Sequence, residues 1–195
     1  MPTGAGNVGK DPVSTETNSA LPGDPRPVQM LRRMIRVDHA GEYGAERIYA
    51  GQLAILGRGP RAEVLRRMHA QEQQHLTAFN DMIVRRRVRP TALLPLWHVA
   101  GFALGAITAA MGERAAMACT VAVEEAIDAH YTAQLRDLSA DEPALRATLE
   151  KFRAEELEHR DIGLEHGAEQ APGYRLMSVV IKAGCRAAIA LSERV

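Results

Sequence analysis

A glutamate followed three residues later by a histidine occurs at Glu72-Gln73-Gln74-His75 and again at Glu156-Leu157-Glu158-His159. This repeated pair constrains the chain more than any other feature. On an α-helix, residues three apart share a face about one turn from each other, so a carboxylate and an imidazole can reach one metal ion. Two such pairs indicate two ions. A helix bundle with a dinuclear interior site takes Glu-x-x-His from two helices and a single glutamate from each of two others. Glu42 and Glu124 meet that requirement, 30 residues before Glu72 and 32 before Glu156. Tyr49 and Tyr131 each follow the lone glutamate by seven residues, a step that returns to within about 20° of the same direction. Each half therefore reads Glu…Tyr, turn, Glu-x-x-His, an internal repeat of two helical hairpins.

A chain of 195 residues suits one domain able to bury a core. Basic and acidic residues number 24 each, so no global field favours nucleic acid. Aromatics are scarce, and Ala, Leu, Glu and Arg dominate the periodic segments, a helical composition without strands. Cys119 and Cys185 belong to no Cys-x-x-Cys spacing and read as buried reduced thiols in a reducing compartment. The N-terminus has neither a secretory apolar core nor an acid-poor presequence, so the chain is expected to stay in the cytosolic compartment.

Residues 1–26, rich in Gly, Pro, Ser, Thr and Asn, read as a disordered tail, and residues 27–195 as the folded domain. Gly4-Ala5-Gly6-Asn7-Val8-Gly9 has the letters of a dinucleotide fingerprint, but no strand precedes it and Asp11-Pro12 follows where a helix is needed, so it is rejected. The first helix is predicted over Val28 to Leu56. Gly41, Gly44 and Gly51 within it suggest close approach of another backbone. A second runs from Arg61 to Arg85. After Arg85-Arg86-Arg87-Val88-Arg89, the stretch Pro90 to Gly112 carries no charged side chain. As one helix it would reach about 34 Å, enough to cross a bilayer. Crossing would put Glu72 and Glu124 on opposite sides, so it reads instead as an apolar crossover lying on the protein or in a membrane interface. There Trp97 would sit at headgroup depth, with the arginines on anionic lipid. A third bundle helix covers Arg114 to Leu138. Asp141 is the expected N-cap of a fourth, Glu142 to His166, and an amphipathic helix follows over Tyr174 to Ser192.

The expected architecture is all-α: a ferritin-like four-helix bundle with a long apolar crossover helix and a C-terminal amphipathic helix. Glu42 and Glu124 are assigned as terminal metal ligands, Glu72 and Glu156 as bridges, and His75 and His159 as one imidazole per ion. Four carboxylates and two imidazoles suit Fe or Mn. Tyr49 and Tyr131 are candidates to hydrogen-bond a ligand carboxylate, or else ordinary core tyrosines. Glu46 and Asp128, four residues after the lone glutamates, are weaker candidates to orient the histidines, with ion pairs as the alternative. His39, His69, His98, His130 and His166 are given structural or surface roles. A reduced metal pair can take up O₂ and two electrons and oxidise an electron-rich substrate. Ferroxidase or storage chemistry uses the same residues without one.

The runs Asp38-His39-Ala40-Gly41-Glu42-Tyr43-Gly44-Ala45, Ala118-Cys119-Thr120-Val121-Ala122-Val123-Glu124-Glu125 and Phe152-Arg153-Ala154-Glu155-Glu156-Leu157-Glu158-His159, with Asp161-Ile162-Gly163-Leu164, strongly resemble the demethoxyubiquinone hydroxylase family of ubiquinone biosynthesis. So does Ala183-Gly184-Cys185-Arg186…Leu191-Ser192-Glu193-Arg194. The resemblance covers Val28 to the C-terminus. It implies a di-iron, O₂-dependent monooxygenase that hydroxylates the ring of 3-demethoxyubiquinol, with the same six ligands. It also implies peripheral attachment to the cytoplasmic side of a prokaryotic cell membrane through residues 85–112 and 174–192, which would also form an access channel for the polyprenyl quinol. Electrons would come from a separate reductase, from NADH, or through the quinol. Other ubiquinone-biosynthesis proteins and a second copy of the chain are candidate partners. The competing readings are a ferritin-like iron-oxidising or storage protein, a di-iron hydroxylase of modified tRNA, and a non-catalytic scaffold of a quinone-synthesis complex.

Overall fold

The computed structural model describes residues 27–195, residue 61 apart, so the expected tail over residues 1–26 lies outside the described residues. Helix α1 (Pro27–Leu56) and α2 (Ala62–Arg85) form the first hairpin, α4 (Glu113–Asp137) and α5 (Pro143–Glu165) the second, with α3 (Leu94–Ala110) between them and α6 (Tyr174–Ser192) last. No strand occurs among the described residues, and the fold is all-α.

Helix α1 ends where the Gly57 amide turns back to the Leu53 carbonyl at 2.9 Å and that of Gly59 to Leu56 at 2.8 Å. The end of α2 is built differently. Arg87 adopts a left-handed φ of 51°, where glycine is usual. The Val88 amide reaches back to the Ile83 carbonyl at 2.9 Å, and the Val88 side chain is buried. Arg86, beside it, is clamped to both carboxylate oxygens of Glu142 at 2.9 and 2.6 Å, which joins this corner to the start of α5. Asp141 does not cap α5. The cap position is Glu142, without a side-chain cap bond, because Ser139 Oγ holds both the Asp141 amide (3.3 Å) and its carboxylate (3.4 Å) in a turn.

The four bundle helices interlock across the centre. Residues 38, 42, 49 and 52 of α1 meet 130, 131, 124 and 116 of α4, so those two helices run antiparallel. Gln71 and His75 of α2 meet His159 and Glu155 of α5 in the same sense. Alanines at 115, 116 and 118 line a buried stretch of α4, and one cluster of larger apolar side chains closes each end of the site. Ile35, Phe79, Leu149 and Phe152 lie on one side, and Leu65, Met68, Met117 and Val121 on the other.

The uncharged stretch becomes a 17-residue helix, about 26 Å long, with Pro95 in its first turn where no amide is needed. No described helix is long and apolar enough to cross a membrane. Instead α3 lies parallel to α1, seated backbone to backbone. A Cβ on Gly105 would collide with the Ile48 carbonyl, one on Gly51 with that of Phe102, and one on Gly101 would come 2.8 Å from the Gly44 oxygen. The expectation of close approach thus holds for Gly51. Gly44 is approached only at its carbonyl, by Gly101, and at both Gly41 and Gly44 a Cβ would meet nothing within 4 Å. Trp97 Nε1 donates to Ser192 Oγ at 3.1 Å and ties α3 to the end of α6. Both helices leave apolar side chains outside, among them Leu96, Val99, Ile107, Leu176, Val179 and Val180.

Candidate metal centre

Helical periodicity puts each predicted ligand on the inward stripe of its helix, and the bundle brings the four stripes together. Glu42, Glu72, His75 and Glu156 form one group and Glu72, Glu124, Glu156 and His159 a second, with the offered atoms of each group within 4.8 Å of one another. All six side chains are buried, and Glu72 and Glu156 belong to both groups. Glu156 spans the pair, with one oxygen 3.0 Å from His75 Nδ1 and the other 3.3 Å from His159 Nδ1. Glu72 Oε1 is 3.1 Å from His159 Nδ1, and Glu42 Oε2 is 3.4 Å from His75 Nδ1.

Whether these residues suit a metal pair is tested by their hydrogen bonding. Both oxygens of Glu72 and of Glu156, one each of Glu42 and Glu124, and Nδ1 of both histidines are buried without a hydrogen-bond partner. An orphaned buried polar atom ordinarily costs about 1–3 kcal/mol, so a cluster of such atoms converging on one space is stable only when something neutralises it. Two divalent cations balance four carboxylates. Four of the six side chains are held from behind. His75 Nε2 donates to Glu155 at 2.8 Å and His159 Nε2 to Gln71 at 3.0 Å, which turns both Nδ1 atoms inward. Tyr49 donates to Glu124 at 2.8 Å, and Tyr131 donates to Glu42. Phe152 stacks on the His75 ring at 4.0 Å between centroids.

Without metal the cluster retains protons. Burial, together with the charges of Glu156 and Glu42, raises the Glu72 carboxyl to about 8. Burial works against the charged His75, but contact with Glu156 and Glu42 outweighs it and lifts the imidazole to about 11; His159 rises to about 9 for the same reasons through Glu156 and Glu72. Burial would raise Glu156 too, yet His159 and His75 hold it down at about 2.

Glu46 and Asp128 do not orient the site histidines. Glu46 pairs with His69 at 2.9 Å and Asp128 with Arg153 at 2.6 Å, since both point off the ligand stripe towards neighbouring helices. That work falls to Gln71 and Glu155, which sequence reasoning missed. Each precedes the glutamate of its own Glu-x-x-His pair, so spacing alone would turn it on the histidine four residues later in the same helix. Across antiparallel α2 and α5 the partners are exchanged. His39 pairs with Asn80, His98 with Tyr43, and His166 with the Ile162 carbonyl, all structural contacts. His130 is different. With Asp38 it lines an apolar cavity of about 400 Å³ bounded by α1, α3, α4 and α6, which reaches Glu42 and Tyr131. Both cysteines are free thiols; Cys119 is buried as expected, but Cys185 is only half-buried, because it stands in the wall of that cavity.

A cluster of four carboxylates and two imidazoles at the end of an apolar cavity is a feature that relatives should share. A family model described as ubiquinone biosynthesis protein COQ7 matches residues 29–192. The chain is 60% identical over 176 residues to a 3-demethoxyubiquinol 3-hydroxylase of Rhodospirillum rubrum, covering 90% of this chain and 83% of the relative. It is 58% identical over 166 residues to the mitochondrial NADPH-dependent 3-demethoxyubiquinone 3-hydroxylase of Homo sapiens, covering 83% and 76%. It is 43% identical over 182 residues to the mitochondrial 5-demethoxyubiquinone hydroxylase of Saccharomyces cerevisiae, covering 85% and 78%. With the match spanning all six helices, the chain belongs to the COQ7 family of ubiquinone biosynthesis proteins.

Proposed function

We propose that this protein is an O₂-dependent di-iron monooxygenase that hydroxylates the ring of 3-demethoxyubiquinol. The observation that carries the reading is the apolar cavity ending on Glu42, a member of the buried carboxylate cluster. An iron-storing protein needs a polar path for ions, whereas walls of Val37, Ile48, Leu104, Ile127 and Ile189 suit a polyprenyl quinol. The substrate named for the relatives agrees with those walls.

Glu42 and His75 would hold one iron and Glu124 and His159 the other, with Glu72 and Glu156, common to both groups, shared between them. When bound, the pair supplies the means to reduce O₂ with two electrons, so that one oxygen atom replaces a ring hydrogen as hydroxyl and the other leaves as water. The protein's part is orientation and exclusion. Tyr49 and Tyr131 fix Glu124 and Glu42, and Gln71 and Glu155 keep both Nδ1 lone pairs inward. Apolar walls keep water from the reacting ring. The electrons come from a reduced nicotinamide, the donor class in several relatives' names.

The exposed apolar faces of α3 and α6 flank this cavity. They seat the protein on a membrane surface, within residues 85–112 and 174–192, where the isoprenoid substrate dissolves. The test is to incubate iron-loaded protein with a short-tail demethoxyquinol, reductant and O₂, and to follow the product by mass spectrometry. A product heavier by one oxygen, labelled from ¹⁸O₂ and absent with Glu156→Ala, is the expected result. Iron oxidation without product would overturn the reading.

A further inference from the structure

Glycine inside a helix is less favourable than alanine, so each one calls for a physical reason. At Gly51, Gly101 and Gly105 the reason is the backbone contact of α1 with α3, and at Gly163 a Cβ would lie 2.7 Å from Val121 Cγ2. Gly41, Gly44 and Gly184 have no such reason, because a Cβ at any of them would meet no atom within 4 Å. All three line the apolar cavity, Gly41 and Gly44 on the α1 wall beside Glu42 and Gly184 on the α6 wall.

A second observation points to a ligand in the same space. Asp38, one turn before Glu42, is buried and lines the cavity. Gln134 Nε2 donates to its Oδ1 at 2.7 Å, but Oδ2 is buried with no hydrogen-bond partner. A carboxylate oxygen left bare in an apolar cavity suits a hydroxyl brought by the ligand.

We propose that these three glycines and Asp38 form the seat of the substrate ring. The flat ring lies against bare helix backbone at Gly41 and Gly44, with Gly184 across from it, and a ring hydroxyl donates to Asp38 Oδ2. The inference rests on the quinol reading above and names the residues that set its specificity. It also accounts for the conformational cost of three mid-helix glycines: a methyl group at any of them would take up room the ring requires.

The test uses full-length, iron-loaded protein and 2-geranyl-6-methoxy-3-methyl-hydroquinone, titrated without O₂ by calorimetry. Trp97, the chain's single tryptophan, lines the cavity, and its emission reports where the quinol binds. Gly41→Ala, Gly44→Ala and Gly184→Ala should each raise Tm by about 2–4 °C, as the gain in helix propensity implies for a chain of this size. Each should also weaken quinol binding about tenfold or more, the usual effect of one methyl group too many in a fitted pocket. Asp38→Asn should weaken binding by a similar factor. Iron content should be unchanged, and Gly184→Ala, on the wall away from Glu42, decides the matter. Alanine variants that gain stability and bind the quinol like wild type would overturn the seat and leave the hydroxylase reading intact. A fall in Tm would mark a packing role and overturn it as well. A wild-type protein that does not bind the quinol would remove the functional reading and this inference together.

Discussion

Glu155 of α5 accepts the Nε2 hydrogen of His75 of α2 at 2.8 Å, so a residue beside one ligand glutamate aims the imidazole on the facing helix. Gln71 does the same for His159. Replacing either with leucine should lower iron affinity about 10- to 100-fold, as loss of such a partner does at metal sites. Competition with a chelator measures it, and circular dichroism checks that the helices remain.

The tyrosines make a different prediction. Tyr49→Phe or Tyr131→Phe strips a buried carboxylate of its donor and should destabilise the metal-free protein by about 1–3 kcal/mol in urea unfolding. The loss should be smaller with iron bound, because the ion then shares the carboxylate's charge.

Protons and the proposed metal pair would compete for one space, which fixes the sign of the pH dependence. The folded metal-free chain keeps protons on His159 up to about 9 and on His75 up to about 11, whereas the unfolded chain sheds them near 6.5. Stability from these two groups is complete below pH 6.5 and is lost as pH rises, through about 9 for His159 and about 11 for His75. Glu72, raised to about 8, loses stability in the same direction between 4.5 and 8. Glu156, held at about 2, acts oppositely, and only below 4.5. The metal-free Tm should therefore fall from pH 6.5 to 9, while iron affinity rises and binding releases protons. Calorimetry in two buffers of different ionisation enthalpy counts them.

Gly105→Ala places a methyl group on the Ile48 carbonyl. Overpacking of this kind costs about 1–3 kcal/mol. The variant should show a lower Tm and faster proteolysis in the segment joining α2 to α3.

Leu176→Glu with Val179→Glu puts charge on the exposed face of α6. Each apolar side chain seated in lipid is worth about 1.5 kcal/mol. The double variant should stay folded, yet co-sediment with phospholipid vesicles at least tenfold less than wild type.

Much of the candidate site was legible beforehand because the residues that would hold the metal pair obey local geometry. The three-residue step of Glu-x-x-His and the seven-residue step from Glu42 to Tyr49 are properties of one helix, and they put the right side chains inward. At Glu46 and Asp128, four residues after the lone glutamates, the direction lies far enough off the stripe that they pair with His69 and Arg153, the ion-pair alternative rather than the orienting role. At Asp141 the residue type suited a cap, but the Ser139 turn engaged it first.

The sequence alone determined which residues of each helix look inward, since helical repeat and residue spacing follow from the backbone. Only the tertiary structure decided whom they meet. Tyr49 bonds the glutamate of α4, Tyr131 that of α1, and Gln71 the histidine of α5. It also decided that Gly51, Gly101 and Gly105 sit where two backbones meet while Gly41, Gly44 and Gly184 line a cavity. A pairing between residues some 80 positions apart depends on the offset of one helix against another, which packing of the whole bundle sets and no local spacing encodes.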